Sequence, residues 1–251
     1  MKYTRLGSIK TCNPACRKRS SFIIVALASL IALPCLPQTS SVAAPINSAA
    51  ADFAALSHYR AADVAIHDSG APVKVVFLGD SITEYWGSRS GTWFKEKGWL
   101  NRGIGGQTTS QLLLRVRPDV IALHPQAIVI EGGSNDMRMG FSPETIRDNI
   151  ASIGELAQDH GIAVFVASMT PVCDCFKPLS GLRTVNEISR LNLLLRQLCM
   201  KEHWNFINLN PTLADPSGHM RSDLTVDGVH PNAAGYRILG ALIAAQLNTF
   251  Q

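Results

Sequence analysis

Apolar residues fall along this chain in two alternating rhythms. A continuous run occurs at "VKVVFLG" (73–79), and further short runs at "GWLNRGI" (98–104), "QAIVIEGG" (126–133), "IAVFVAS" (162–168) and "NFINL" (205–209). Runs of that length, rich in Val, Ile and Phe and closed by Gly, Ser or Asn, predict buried strands. Between them lie longer stretches with helical spacing. "TTSQLLLRVRPDVIAL" (108–123) is one, with Pro118 expected to interrupt it, and "SPETIRDNIASIGELAQDHG" (142–161) is another, with a start signal at Ser142 and a stop at Gly161. In "RTVNEISRLNLLLRQLCMKEH" (183–203), Val185, Ile188, Leu191, Leu195 and Leu198 form one stripe of a long amphipathic helix. "PNAAGYRILGALIAAQL" (231–247) predicts a last helix with Pro231 in its first turn, and "DFAALSHYRAADVAI" (52–66) a short helix ahead of the first strand.

Strands and helices that alternate in this way predict an α/β fold, a parallel sheet covered on both faces in three layers. No repeat or low-complexity block divides residues 71–251, which read as one domain.

Composition adds size and compartment. The chain has 251 residues, 46% hydrophobic and 17% charged, enough for one large core. Its net charge of +4 comes from the leader. All acidic residues follow Ala44, whereas Lys2, Arg5, Lys10, Arg17, Lys18 and Arg19 precede it, leaving 17 basic against 19 acidic residues in the body. That balance gives no electrostatic reason to expect nucleic acid or an anionic membrane as partner. The leader, residues 1–43, reads as a signal peptide. A basic n-region precedes the apolar run Phe22 to Leu36, and cleavage after Ala43 places Ser41 and Ala43 at the small-residue positions. The run falls short of the ~20 residues of a membrane span. The expectation is therefore export to the periplasm or beyond, with no stable span in the mature chain and an uncleaved anchor as the alternative. Residues 44–70 read as a flexible lead-in and short helix. Of the body's three cysteines, Cys173 and Cys175 are too few and too close for structural zinc. An oxidising compartment allows a disulfide from that loop to Cys199, or else buried free thiols.

The candidate chemistry collects at the carboxyl ends of the predicted strands, where open α/β sheets bind ligands. After the first strand comes "GDSIT" with Ser81, after the second "NRGIGGQTT" with Gly106, after the third "EGGSNDM" with Asn135, and before the last helix "TVDGVHPNAAG" with Asp227 and His230. Acyl transfer needs such a set. It takes a hydroxyl nucleophile, a His able to accept and return a proton near neutrality, an acid to orient that His, and pre-placed donors for an oxyanion. Each residue also has a structural alternative: Ser81 as a helix cap, Asn135 in an Asx-turn, His230 as a residue before a helix. The "GIGG" segment lacks the third glycine of a dinucleotide fingerprint, and the other histidines show no metal spacing.

Taken in order, "GDSIT", "NRGIGGQTT", "GGSND" and "DGVHP" resemble the four blocks of the SGNH, or GDSL-type, hydrolase family, from about Val73 to the C-terminus. The "GIGGQTT" form resembles the branch with the platelet-activating-factor acetylhydrolase catalytic subunits and bacterial lysophospholipase-like acyl esterases. The resemblance implies a flavodoxin-like α/β/α fold with a five-stranded parallel sheet, consistent with the lack of a G-x-S-x-G elbow. It also implies Ser81 as nucleophile, with His230 and Asp227 completing a triad. The oxyanion hole would come from the N–H groups of Ser81 and Gly106 and the side chain of Asn135. No metal or cofactor is implied. The expected reaction is hydrolysis of a carboxylic ester in a small molecule, glycan or lipid, with short acyl or acetyl groups favoured. Lysophospholipase or thioesterase action on longer chains, acyl transfer, and a non-catalytic carbohydrate-binding module are the alternatives. Trp86, Trp93, Phe94, Met137, Met139 and Phe141 are candidates for an acyl pocket or for core packing, and Asp80 for bracing the turn. The "CDCF" loop has no counterpart in the family pattern.

Overall fold

A computed structural model describes residues 51–88 and 98–248; the expected signal peptide, Trp93 and Phe94 lie outside these residues. Five strands form one sheet: β1 Val75–Gly79, β2 Trp99–Gly103, β3 Ala127–Ile130, β4 Ala163–Ala167 and β5 Asn205–Ile207. Their order is β2-β1-β3-β4-β5, and every neighbouring pair is parallel. The helices are α1 Arg60–Ser69, α2 Ser81–Ser88, α3 Thr109–Asp119, α4 Ser134–Arg138, α5 Pro143–Gln158, α6 Val185–Glu202, α7 Asn210–Leu213 and α8 Ala233–Asn248.

The three inner strands, β1, β3 and β4, are apolar on both faces because each face carries its own core. Val76, Leu78, Ile128, Ile130, Val164 and Val166 point to one side, where Ile146, Ile150 and Ile153 of α5 and Leu191 and Leu195 of α6 meet them. The alternate positions Val75, Phe77, Val129, Phe165 and Ala167 face the other side, against Trp86 of α2 and Tyr236, Leu239 and Ile243 of α8. This is the two-residue period of a strand read twice, once per layer. The predicted α/β/α architecture is present, and chain direction across the sheet reverses at β1. That reversal opens a crevice at the carboxyl ends of β1 and β3.

Some boundaries differ from the sequence reading. The segment from Asp52 begins as a turn, because the Asp52 carboxylate accepts from Leu56 N–H (2.6 Å) and from the Ser57 N–H and hydroxyl, and helix starts only at Arg60. Pro118 does not break α3 midway; it sits in the last turn, one residue before the end, where its ring clash is tolerated. The last helix begins at Ala233 rather than Pro231, since the Asn232 side chain caps it by accepting from Ala234 N–H (2.9 Å) and Gly235 N–H (3.1 Å). Cys173 is disulfide-bonded to Cys175, not to Cys199, which is buried and free. Burial pushes the Cys199 thiol up to about 12.

Candidate active site

The tight handover from β1 to α2 places Ser81 at the first position of the helix, at the crevice. Asp80 shapes the turn: its Oδ1 accepts from Ile82 N–H (2.9 Å), and its carbonyl accepts from Glu84 N–H (2.9 Å). Ser81 Oγ lies 2.9 Å from His230 Nε2, across 149 residues of sequence. His230 Nδ1 in turn lies 2.7 Å from Asp227 Oδ2. The turn from Asp227 to His230 is held from within. Asp227 Oδ1 accepts from the N–H groups of Val229 (3.0 Å) and His230 (2.9 Å), while Thr225 Oγ1 accepts from Gly228 N–H and donates to His230 O. Burial pushes the Asp227 carboxyl up, but those N–H donors and the imidazole outweigh it and hold the group below its ordinary value. The Asp227 carboxylate is thus kept charged beside the ring it orients.

The glycine turn after β2 closes a second side. Gly103 is required by contact: a Cβ there would stand 2.2 Å from the backbone nitrogen of Glu84. Glu84 Oε2 accepts from Gly105 N–H (2.9 Å), which fixes the turn and leaves Gly106 at φ +81°, a conformation that favours glycine. Neither Ser81 N–H nor Gly106 N–H has a hydrogen-bond partner among the described residues. On the third side, Asn135 lies on the short helix α4 rather than in an Asx-turn, and its Nδ2 donates to Asp80 Oδ2 (3.1 Å) and to Gln107 O (3.0 Å). Ser81, Gly106, Asn135, Asp227 and His230 all line one open cavity of about 550 Å³.

The sequence profile of the GDSL-like Lipase/Acylhydrolase family matches residues 77–238, which include all five of these positions. The chain belongs to that family. A GDSL-like lipase from Bacteroides thetaiotaomicron VPI-5482 is 32% identical, with a TM-score of 0.73 over 80% of this chain and 100% of that one. Esterase TesA of Pseudomonas aeruginosa is 25% identical over 54% of this chain and 62% of its own length. An arylesterase of Vibrio mimicus is 32% identical over 38% of this chain and 54% of its own length. The chain therefore spans less than two thirds of these two curated relatives. Family and fold together make this chain an SGNH/GDSL-type ester hydrolase.

Beneath the crevice the hydrolase carries a buried acid, Glu131, that pattern reading did not single out, next to Asp80. Asp80 and Glu131 are both buried, each within the other's electrostatic reach, and Thr83 Oγ1 donates to Glu131 Oε2 (2.9 Å). Burial pushes Asp80 up to about 6, and burial together with the Asp80 charge pushes Glu131 well above its ordinary value. Two carboxyls buried together disfavour ionisation of both, which is why each is raised. Asp80 thus braces the turn as expected and also ties Ser81's helix to Asn135. Asp136, raised by burial, accepts from Thr109 N–H and Oγ1 and fastens α4 to α3.

Among the described residues, none of the aromatic and Met candidates for an acyl pocket lines the cavity. Trp86 and Met137 are core residues, and Met139 and Phe141 face solvent. The apolar lining comes instead from Tyr85, Ile104, Leu179 and Val229. The "CDCF" loop has a place after all. Cys173 N–H donates to Gly228 O (2.9 Å), which joins the loop to the Asp227–His230 turn, and the loop carries Lys177 and Leu179 into the cavity wall. Arg138 and Arg183 complete that wall. Among the described residues, no three His, Cys, Asp or Glu side chains are placed to hold a metal ion, and no helix is long and apolar enough to cross a membrane.

Proposed function

We propose that this hydrolase is an exported serine esterase that cleaves carboxylic esters of short acyl groups, acetyl above all, through a Ser81–His230–Asp227 triad. The observation that carries the reading is the continuous hydrogen-bond chain from Ser81 Oγ through the His230 ring to Asp227, at 2.9 and 2.7 Å, beside an open cavity. His230 Nε2 takes the proton of Ser81 as Oγ attacks the ester carbonyl. The developing oxyanion takes the open N–H groups of Ser81 and Gly106 together with the Asn135 amide. The imidazolium then protonates the leaving alcohol, and water enters by the same route to release the acid. A cavity whose apolar lining is four side chains among charged ones suits a short acyl chain better than a long one. The basic, apolar, small-residue leader supports export.

The test is hydrolysis of p-nitrophenyl esters from two to twelve carbons by the wild type and Ser81→Ala. Serine-dependent turnover that falls steeply with chain length is expected, with Ser81→Ala lowering kcat by about 10³-fold or more while thermal unfolding is unchanged. Activity peaking at long chains would move the reading to a lysophospholipase, and equal rates for the two proteins would remove Ser81 from the mechanism.

A further inference from the structure

Three cations share the cavity wall: Arg138 from α4, Lys177 from the "CDCF" loop, and Arg183 from the approach to α6. Among the described residues none of them pairs with a carboxylate. The two acids that line the same cavity are committed elsewhere, Glu84 to Gly105 N–H and Asp227 to His230. Arg183 is the unusual member. Its residue is only 6% exposed, its Nη1 donates to a neutral oxygen, Ser134 Oγ (3.1 Å), and its Nε is buried with no partner. A buried guanidinium with an idle donor and no counterion is costly unless something supplies the missing charge. Burial and the neighbouring Arg138 charge push Arg183 down, and Asp80 and Asp227 offset this only from a distance.

We infer that this wall is a subsite for an anionic group, so that the preferred ester carries a carboxylate or phosphate on the part that occupies the Arg183 side of the cavity. This rests on the esterase reading above and names its substrate class. The guanidinium supplies a planar fork suited to either anion, Arg138 and Lys177 add charge at the solvent side, and the buried guanidinium gains a counterion when substrate binds. The neutral acyl end then remains for the oxyanion donors near Ser81.

The experiment uses the full chain and three acetate esters of one phenol framework: 4-acetoxybenzoate, 4-acetoxyphenyl phosphate and, as the neutral control, methyl 4-acetoxybenzoate. Arg183→Gln is expected to lower kcat/KM for an anionic ester by about 10- to 100-fold, mainly through KM, with little change for the neutral one. Whichever anionic ester loses more identifies carboxylate or phosphate as the source. A second readout is free of turnover: by calorimetry, Ser81→Ala should bind 4-acetoxybenzoate or its phosphate analogue, and Ser81→Ala/Arg183→Gln should not. If Arg183→Gln fails to fold, the exposed pair Arg138→Gln/Lys177→Gln must show the same selective loss. Equal effects on charged and neutral esters, or undiminished anion binding by the double variant, would overturn the subsite. Loss of Ser81-dependent turnover on the neutral ester in the wild type would instead refute the esterase reading and leave the binding measurement to judge the subsite alone.

Discussion

Replacing Glu131 by Gln should make the protein more stable, and more so the higher the pH. Glu131 is buried, and the Asp80 charge acts on it. Its pKa in the fold is raised well above the ordinary 4.5. Between 4.5 and that raised value the folded chain holds a proton which the unfolded chain has released. Stability therefore falls with rising pH in that window, by about 1.4 kcal/mol per pH unit. Gln is neutral in both states. Its amide oxygen can still accept from Thr83 Oγ1, and its NH2 offers Asp80 a donor instead of a second negative charge. At pH 7 the ceiling on the gain is about 3 kcal/mol, the slope accumulated above 4.5. Imperfect amide geometry reduces it to about 1–3 kcal/mol. Urea unfolding of both proteins at pH 5, 6, 7 and 8 measures this directly. The difference should be near zero at pH 5, widen with pH and level off above the folded pKa of Glu131. A gap that does not depend on pH, or a variant that is less stable at pH 8, would show that Glu131 is ionised and favourably paired in the fold.

Two further outcomes follow from the site's geometry. Asn135→Ala should lower kcat by about 10²-fold, the lower end for an oxyanion donor, because its amide already serves Asp80 and Gln107 O and shares its hydrogens with an incoming oxyanion; wild-type kcat would remove it from that role. Gly103→Ala should destabilise by about 2 kcal/mol or more, since its Cβ meets the Glu84 backbone 2.2 Å away and must push α2 off β2, and a denaturation midpoint equal to wild type would contradict the close approach.

The layers of this fold were legible because the inner strands are apolar on both faces, and a run such as Val75 to Leu78 has few other stable homes in a chain with this helix spacing. The rim residues were legible through turn chemistry: Gly-Asp-Ser after one strand, Gly-Gly after another, and an acid three residues before a His. What escaped was whatever depends on distant packing. Glu131 reads as an ordinary loop acid at a strand end until burial beside Asp80 is seen. Arg183 reads as a charge ahead of a helix, and nothing local says that it is buried against Ser134. Cys199 invited a pairing that α6 prevents by turning its thiol into the core. The start of α8 shifted because Asn232 is a better cap than Pro231 is a first residue, a competition between two adjacent local signals.

The wide spacing of Ser81 and His230 along the chain has a consequence for the order in which the molecule is made. All five strands are synthesised by Ile207, and the core on the α5 and α6 face can close at that point. The opposite face waits for Tyr236, Leu239 and Ile243, and the hydrogen-bond chain to Ser81 waits for Asp227 and His230 just ahead of them. A nascent chain released at residue 226 thus carries Ser81 and all five strands of the sheet but neither Asp227 nor His230. Closure of the second layer and the arrival of His230 beside Ser81 thus depend on one stretch of chain, residues 227–243.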